Sequence, residues 1–287
     1  MIGLMFGLIF GLIFLGEIHL EKGLTLEYEI EGEGPALLLI NGMGSHLEVW
    51  DDTVKDLVRD FRVIRFNHRG IGRSGRLEGP YGVDRMAEDA ADLMTALHIP
   101  RYAVAGISLG GFVAQALARQ QPKRLTALVL VATSLGGADH IAPDPEVLTY
   151  FQTMFTMTAE ERARRGLSLA LHPDFAAAKP VWFEERVAFM IEHPPPPATV
   201  QAQVLAAMVF QGRDKAESIR VPTLILHGDA DRIVPSANGE KLAATIPGSR
   251  LIFLKKAGHL CIIDAAPATA RAITDFLQET LTTSPAQ

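Results

Sequence analysis

A single cysteine, Cys261, stands among 287 residues. No internal disulfide can form, so stability has to come from a packed core. The nine histidines are scattered, and no His-Glu-x-x-His segment occurs. Metal-ligand spacing is absent and no cofactor is expected. Lysine and arginine form no basic stripe. The 27 basic residues are interspersed with 33 acidic ones for a net charge of −6, which argues against nucleic acid as a partner. Hydrophobic residues make up 48% of the chain, enough for one sizeable domain with a large core.

The first fifteen residues lack lysine and arginine and are almost wholly apolar. Gly3, Gly7 and Gly11 fall on one helical face, the small-xxx-small pattern of packed membrane helices. The run is nevertheless short against the roughly 20 residues of a spanning helix. It also lacks the basic start and small-residue cleavage site of a signal peptide. Residues 1–16 are therefore set apart as an apolar extension; membrane association or partner binding through residues 1–15 is the favoured reading, with a weak export signal or an extra translated leader as the alternatives. Without such a use the protein is expected in the cytoplasm.

Beyond residue 16 a regular pattern begins. Residues 24–30 (LTLEYEI) alternate apolar and polar, as a half-exposed strand does. Short continuous apolar runs follow at 36–40, 62–66, 102–105, 127–131, 223–226 and 251–254. Such runs suit strands buried on both faces of a parallel sheet. Helical spacing of apolar residues fills the gaps at 47–60, 84–97, 109–120, 236–246 and 267–281. This alternation predicts an α/β fold, with a mostly parallel central sheet and helices on both faces. Between residues 135 and 212 the alternation stops. The stretch is rich in Met, Phe, Ala and Arg, has helical patches at 146–155 and 181–191, and contains four successive prolines, 194–197. It reads as a helical cap over residues 135–212, inserted into a core of residues 17–134 and 213–287.

Gly106-Ile107-Ser108-Leu109-Gly110 lies directly after one predicted strand and directly before a predicted helix. In that context G-x-S-x-G is a nucleophile elbow, a sharp turn that presents Ser108 at the tip. A serine hydroxyl needs a base to take its proton. His259 follows the last predicted strand and is the candidate base. A carboxylate must then orient the imidazole and stabilise its charged form. Asp229 and Asp231 both follow the penultimate strand. Asp231 is favoured because it lies further along the loop, whereas Asp229 is placed to bond loop backbone. The order Ser…Asp…His is the one this fold uses. Backbone N–H groups of Leu109 and of Met43, in the Asn41-Gly42-Met43-Gly44 turn, are the candidate oxyanion-hole donors.

These segments, with Phe66-Asn67-His68-Arg69-Gly70-Ile71-Gly72-Arg73-Ser74, resemble the α/β-hydrolase superfamily over residues 23–281. Within it the chain is similar to capped serine carboxylesterases and lipases, aclacinomycin-type methylesterases, 3-oxoadipate enol-lactonases and cofactor-free perhydrolases. The resemblance implies Ser108 as nucleophile, Asp231 as acid and His259 as base. It implies cleavage of carboxylic esters through an acyl-enzyme, or lactonase, perhydrolase or C–C bond hydrolase activity on the same triad. The intact triad set argues against a non-catalytic ligand-binding protein. Asn41 departs from the His common in relatives, and is expected to hold its loop by hydrogen bonds. A serine nucleophile counts against haloalkane dehalogenases and epoxide hydrolases. Arg69 is expected to tie loops together, and Cys261 to be a buried apolar residue. The cap offers Met154, Phe155, Met157, Trp182, Phe183, Phe189, Met190, Met208 and Phe210 as a soft lining, which favours a small apolar ester. Enol-lactonases act on dicarboxylates and need a cationic anchor, an option that Arg162, Arg164, Arg165 and Arg186 of the insertion leave open, although a solvated helix face is the favoured reading of these four. The oligomeric state is not readable.

Overall fold

The computed structural model describes residues 5–6, 13–76 and 81–283. Nine strands form one sheet: β1 Met5–Phe6, β2 Ile13–His19, β3 Thr25–Glu31, β4 Ala36–Ile40, β5 Arg62–Phe66, β6 Tyr102–Ile107, β7 Leu125–Val131, β8 Thr223–Gly228 and β9 Arg250–Leu254. Their order across the sheet is β1-β2-β3-β5-β4-β6-β7-β8-β9. The first three are joined antiparallel, and every pairing from β5 to β9 is parallel.

The helices lie between and around these strands. They are α1 Asp51–Leu57, α2 Val83–Ala96, α3 Leu109–Gln120, α4 Pro145–Thr153, α5 Ala159–Ala170, α6 Pro173–Ala178, α7 Pro180–Glu192, α8 Pro197–Val209, α9 Arg213–Glu217, α10 Ala237–Thr245, α11 Cys261–Asp264 and α12 Ala266–Thr283. The central strands are apolar without alternation because both sheet faces are covered. Leu38 and Ile40 of β4 face a cluster completed by α2, α3 and α10. Leu37 and Leu39 face another, completed by α1, α11 and α12. All four leucine and isoleucine side chains are fully buried.

The apolar extension needs correction where it meets the sheet. Residues 13–16 belong to β2, which pairs with β3 in the register Phe14↔Ile30 and Ile18↔Leu26. Leu15 is exposed while Phe14 packs on the core, its ring 5.8 Å from that of Tyr28. A strand period is hidden there because the outward residue is also apolar. The Gly3, Gly7 and Gly11 face lies outside the described residues. Among the described residues, no helix is long and apolar enough to cross a membrane.

The predicted helix at 47–60 is split into a 3-10 turn, Leu47–Trp50, and α1. Between β7 and β8 the chain runs through α4 to α9 with no further strand of the sheet. Ala163 and Leu167 of α5 and Val187 of α7 join the cluster beneath α12, so these helices are seated on the sheet layer.

Removing most of the Leu38 side chain leaves a cavity that the rigid sheet cannot close. Leu38→Ala is expected to cost about 2–5 kcal/mol of unfolding free energy, read from a urea titration.

Candidate active site

The site begins where three backbone segments crowd together. Ser108 sits between β6 and α3 with φ 55° and ψ −119°, a left-handed conformation that costs an L-residue free energy. The surrounding backbone fixes it there. Its N–H donates to the Val131 carbonyl at 2.9 Å, and its own carbonyl accepts from the Thr133 hydroxyl at 2.8 Å. The flanking glycines are steric necessities. A Cβ on Gly106 would lie 2.1 Å from the Gly110 carbonyl oxygen, and one on Gly110 would lie 2.3 Å from that of Ile40. Leu109 opens α3, so its N–H has no carbonyl one turn back within the helix.

The turn after β4 lies against this elbow. A Cβ on Gly42 would come within 3.5 Å of the Ser108 Cβ, and Met43 lines the same cavity as Ser108. Asn41 is buried and its side-chain amide donates to the Phe66 carbonyl at 2.9 Å, the loop-holding role expected of it. His68 approaches the Asn41 carbonyl at 3.1 Å through Nε2. Burial depresses the His68 imidazole to about 4, so it is neutral at pH 7 and structural. Arg69 forks onto Asp89 at 2.7 and 2.6 Å and does not line the cavity that Ser108 opens onto.

At the other side, His259 Nδ1 lies 2.9 Å from Asp231 Oδ2. The second oxygen, Oδ1, accepts the backbone N–H groups of Ile233 at 2.9 Å and Val234 at 2.8 Å. An ionised carboxylate only accepts, so His259 donates through Nδ1 and keeps Nε2 as the basic nitrogen. Burial works to raise the Asp231 pKa. The charge and hydrogen bonds of His259 and His227 outweigh it and lower the value from 3.8 to about 2. The rival Asp229 is partly exposed and lies 3.6 Å from Lys255.

The sequence motifs missed three supporting residues. His227, fully buried, donates through Nε2 to the Val234 carbonyl at 2.7 Å and stands 3.5 Å from Asp231 Oδ2. Asp264 accepts the N–H groups of Gly258 and His172, both at 2.8 Å, and thereby fixes the His259 loop to the end of α5. Gln203 of α8, fully buried, accepts the Gly44 N–H at 2.7 Å. His227 stands next to the acidic loop and could have been suspected. Gln203 lies in a segment with no motif and could not. Gly258 is required by close packing, since a Cβ there would meet the Ala170 carbonyl at 2.6 Å.

Ser108, His259 and Met43 open onto one cavity of about 280 Å³. Its far wall comes from α4, α5 and α7, with Phe151, Met154, Phe155, Phe189 and Met190 among the lining. Phe210, expected there, instead stacks on Phe112 in the core at 4.5 Å. Met208 is exposed. Cys261 is buried, and burial pushes its thiol well above the ordinary range, so it is inert.

A parallel sheet with a strained serine elbow at one strand end, and a buried Asp–His pair at another, defines the chain as a hydrolase. A family model described as alpha/beta hydrolase fold matches residues 35–266, and the chain belongs to that family. The chain is 31% identical over 240 residues to the pimeloyl-[acyl-carrier protein] methyl ester esterase of Nitrosomonas europaea, spanning 82% of this chain and 92% of that one. It is 32% identical to the RutD protein of Azorhizobium caulinodans, named for carbamate hydrolysis, across 82% of this chain and 88% of that one. Among solved structures, the enol-lactonase of Burkholderia xenovorans LB400 superposes with a TM-score of 0.80 at 28% identity, covering 92% of this chain and 100% of that one.

A carboxylate held below its ordinary pKa stabilises the fold above that value and loses the contribution as pH falls through the lowered one. Unfolding free energy of the wild type should therefore decline between about pH 4 and pH 2 more steeply than that of Asp231→Asn. Urea titrations at stepped pH measure this.

Proposed function

We propose that the protein is a serine hydrolase that cleaves small carboxylic esters through an acyl-enzyme. The observation that carries the reading is the 2.9 Å hydrogen bond between buried Asp231 and His259 at the edge of the cavity that Ser108 opens onto. With Nδ1 committed to Asp231, the imidazole has Nε2 to offer as a base. Ser108 Oγ attacks the ester carbonyl carbon as its proton passes to Nε2. The carbonyl π bond opens and its oxygen takes the negative charge. The N–H groups of Leu109 and Met43 are the donors for that oxygen, the first at the head of α3 and the second in the turn beside Ser108. The tetrahedral centre then collapses, the alkoxy C–O bond breaks, and Nε2 returns its proton to the departing alcohol. A water molecule repeats the sequence on the acyl-serine. Its proton goes to Nε2 and then to Ser108 Oγ, and the carboxylic acid leaves.

The helices of residues 135–212 act in this reading as a cap. They supply most of the far wall of the cavity and so select the acyl or alcohol group. The relatives are named for methyl ester, enol-lactone and carbamate cleavage. They widen the range of carbonyl substrates to be tried without altering the roles of the residues.

A panel of methyl and ethyl esters, lactones and aryl carbamates, followed with wild type and Ser108→Ala, tests the proposal. Triad members act as a unit, so Ser108→Ala should reduce turnover by roughly 10⁴-fold or more, and Asp231→Asn by about 10⁴-fold. A fluorophosphonate probe should label Ser108, located by peptide mass spectrometry. Near-normal turnover by Ser108→Ala, or labelling elsewhere, would overturn the assignment.

A further inference from the structure

The acyl transfer proposed above leaves two cavity side chains without a task. The stripe of α5 on the cavity runs Ala159, Arg162, Ala163, Gly166 and on to Ala170, the spacing of one helix face. The corresponding stripe of α7 carries Arg186, Phe189, Met190 and His193. Each helix thus turns one arginine toward a wall that, apart from His193 just past the end of α7, is small or apolar. Among the described residues, no aspartate or glutamate lines the cavity, although the chain carries a net charge of −6.

The neighbouring Arg164 shows what an ordinary surface arginine does here. It bonds Glu160 at 2.9 Å and Glu184 at 2.7 and 2.6 Å. Among the described residues, no carboxylate pairs in this way with Arg162 or Arg186. Arg186 spends one nitrogen on the Glu48 carbonyl at 3.0 Å, and its guanidinium lies over the rings of Trp182 and Phe189 at 5.8 and 5.5 Å. Those contacts hold the group in place and leave it charged. Arg162 is half-buried. Its carbonyl, not its side chain, is what Tyr150 bonds.

A guanidinium beside apolar surface is poorly hydrated, and a carboxylate matches its fork with two parallel hydrogen bonds. We infer that the cavity takes an ester bearing a second, ionised carboxylate, such as the half-ester of a dicarboxylic acid, with Arg162 as the anchor and Arg186 beside it. The inference rests on Ser108 being the nucleophile. It replaces the apolar ester that the sequence favours with an amphipathic one, whose aliphatic stem lies on Met and Phe side chains.

The test compares monoethyl glutarate with ethyl pentanoate, of equal acyl length, by pH-stat. The wild type should favour the half-ester, and added salt should shrink that preference. Arg162→Gln should lower the half-ester to neutral-ester ratio of kcat/KM by about tenfold or more. Arg162→Lys, which keeps the charge, should retain most of it. Thermal denaturation checks that both variants fold. In parallel, calorimetry of glutarate on Ser108→Ala should show binding that disappears when Arg162→Gln is added. An unchanged ratio in Arg162→Gln, together with no Arg162-dependent glutarate binding, overturns the anchor even if esters are hydrolysed. Glutarate binding through Arg162 without turnover of any ester by the wild type would leave the anchor standing and remove the esterase reading instead.

Discussion

Everything in this site depends on how closely the elbow of β6 and α3 approaches the end of β4. Only hydrogen fits where a Cβ on Gly106 or Gly110 would stand, because backbone oxygens occupy the space. That contact drives the strand directly into the helix and holds Ser108 in a conformation costing on the order of 1–3 kcal/mol. The cost is tolerable because the segments on either side are anchored. Leu37 to Ile40 and the facing residues of β6 are buried in two apolar layers. The same approach sets the Gly42-Met43 turn against the serine. Ser108 and the backbone N–H groups beside it are thus placed by one packing contact.

A second rigid point lies across the sheet edge. The Asp231 carboxylate receives two backbone N–H groups on one oxygen and an imidazole on the other. Two oxygens fixed from different directions leave the carboxylate no freedom to rotate, so the ring of His259 inherits its orientation. Asp264 then secures the His259 loop from beneath by gripping the Gly258 amide. Charge enters the arrangement unevenly. The carboxylates near the site are engaged by backbone or by histidine, whereas the wall opposite contributes arginine and no acid.

The parts of this arrangement readable from the sequence are those that leave a local pattern. Continuous apolar runs mark strands sandwiched between helices, and glycines at fixed offsets around Ser108 mark a turn too tight for side chains. Asp231 could be preferred over Asp229 because its distance along the loop governs its reach. Residues that act through tertiary contact leave no such trace. Gln203 is one of two glutamines in an Ala- and Val-rich helix, and its bond to Gly44 spans 159 positions. Arg162 and Arg164 are two residues apart in a run of arginines. Only the helix phase on the folded body separates the one facing the cavity from the one paired with Glu184. The N-terminal run misled for a related reason. Leu15 is an apolar residue on the outer side of an edge strand, and uniform hydropathy erases the alternation that would identify β2.

The bond between Gln203 and the Gly44 amide joins α8, which lines the cavity, to the turn that carries Met43. Thr199, one turn earlier on the same helix, reaches the Gly70 carbonyl at 3.3 Å. Through these two links α8 is tied both to the turn that carries Met43 and to the Asn67–Ser74 segment, so any shift of this helix relative to the sheet would strain both connections at once.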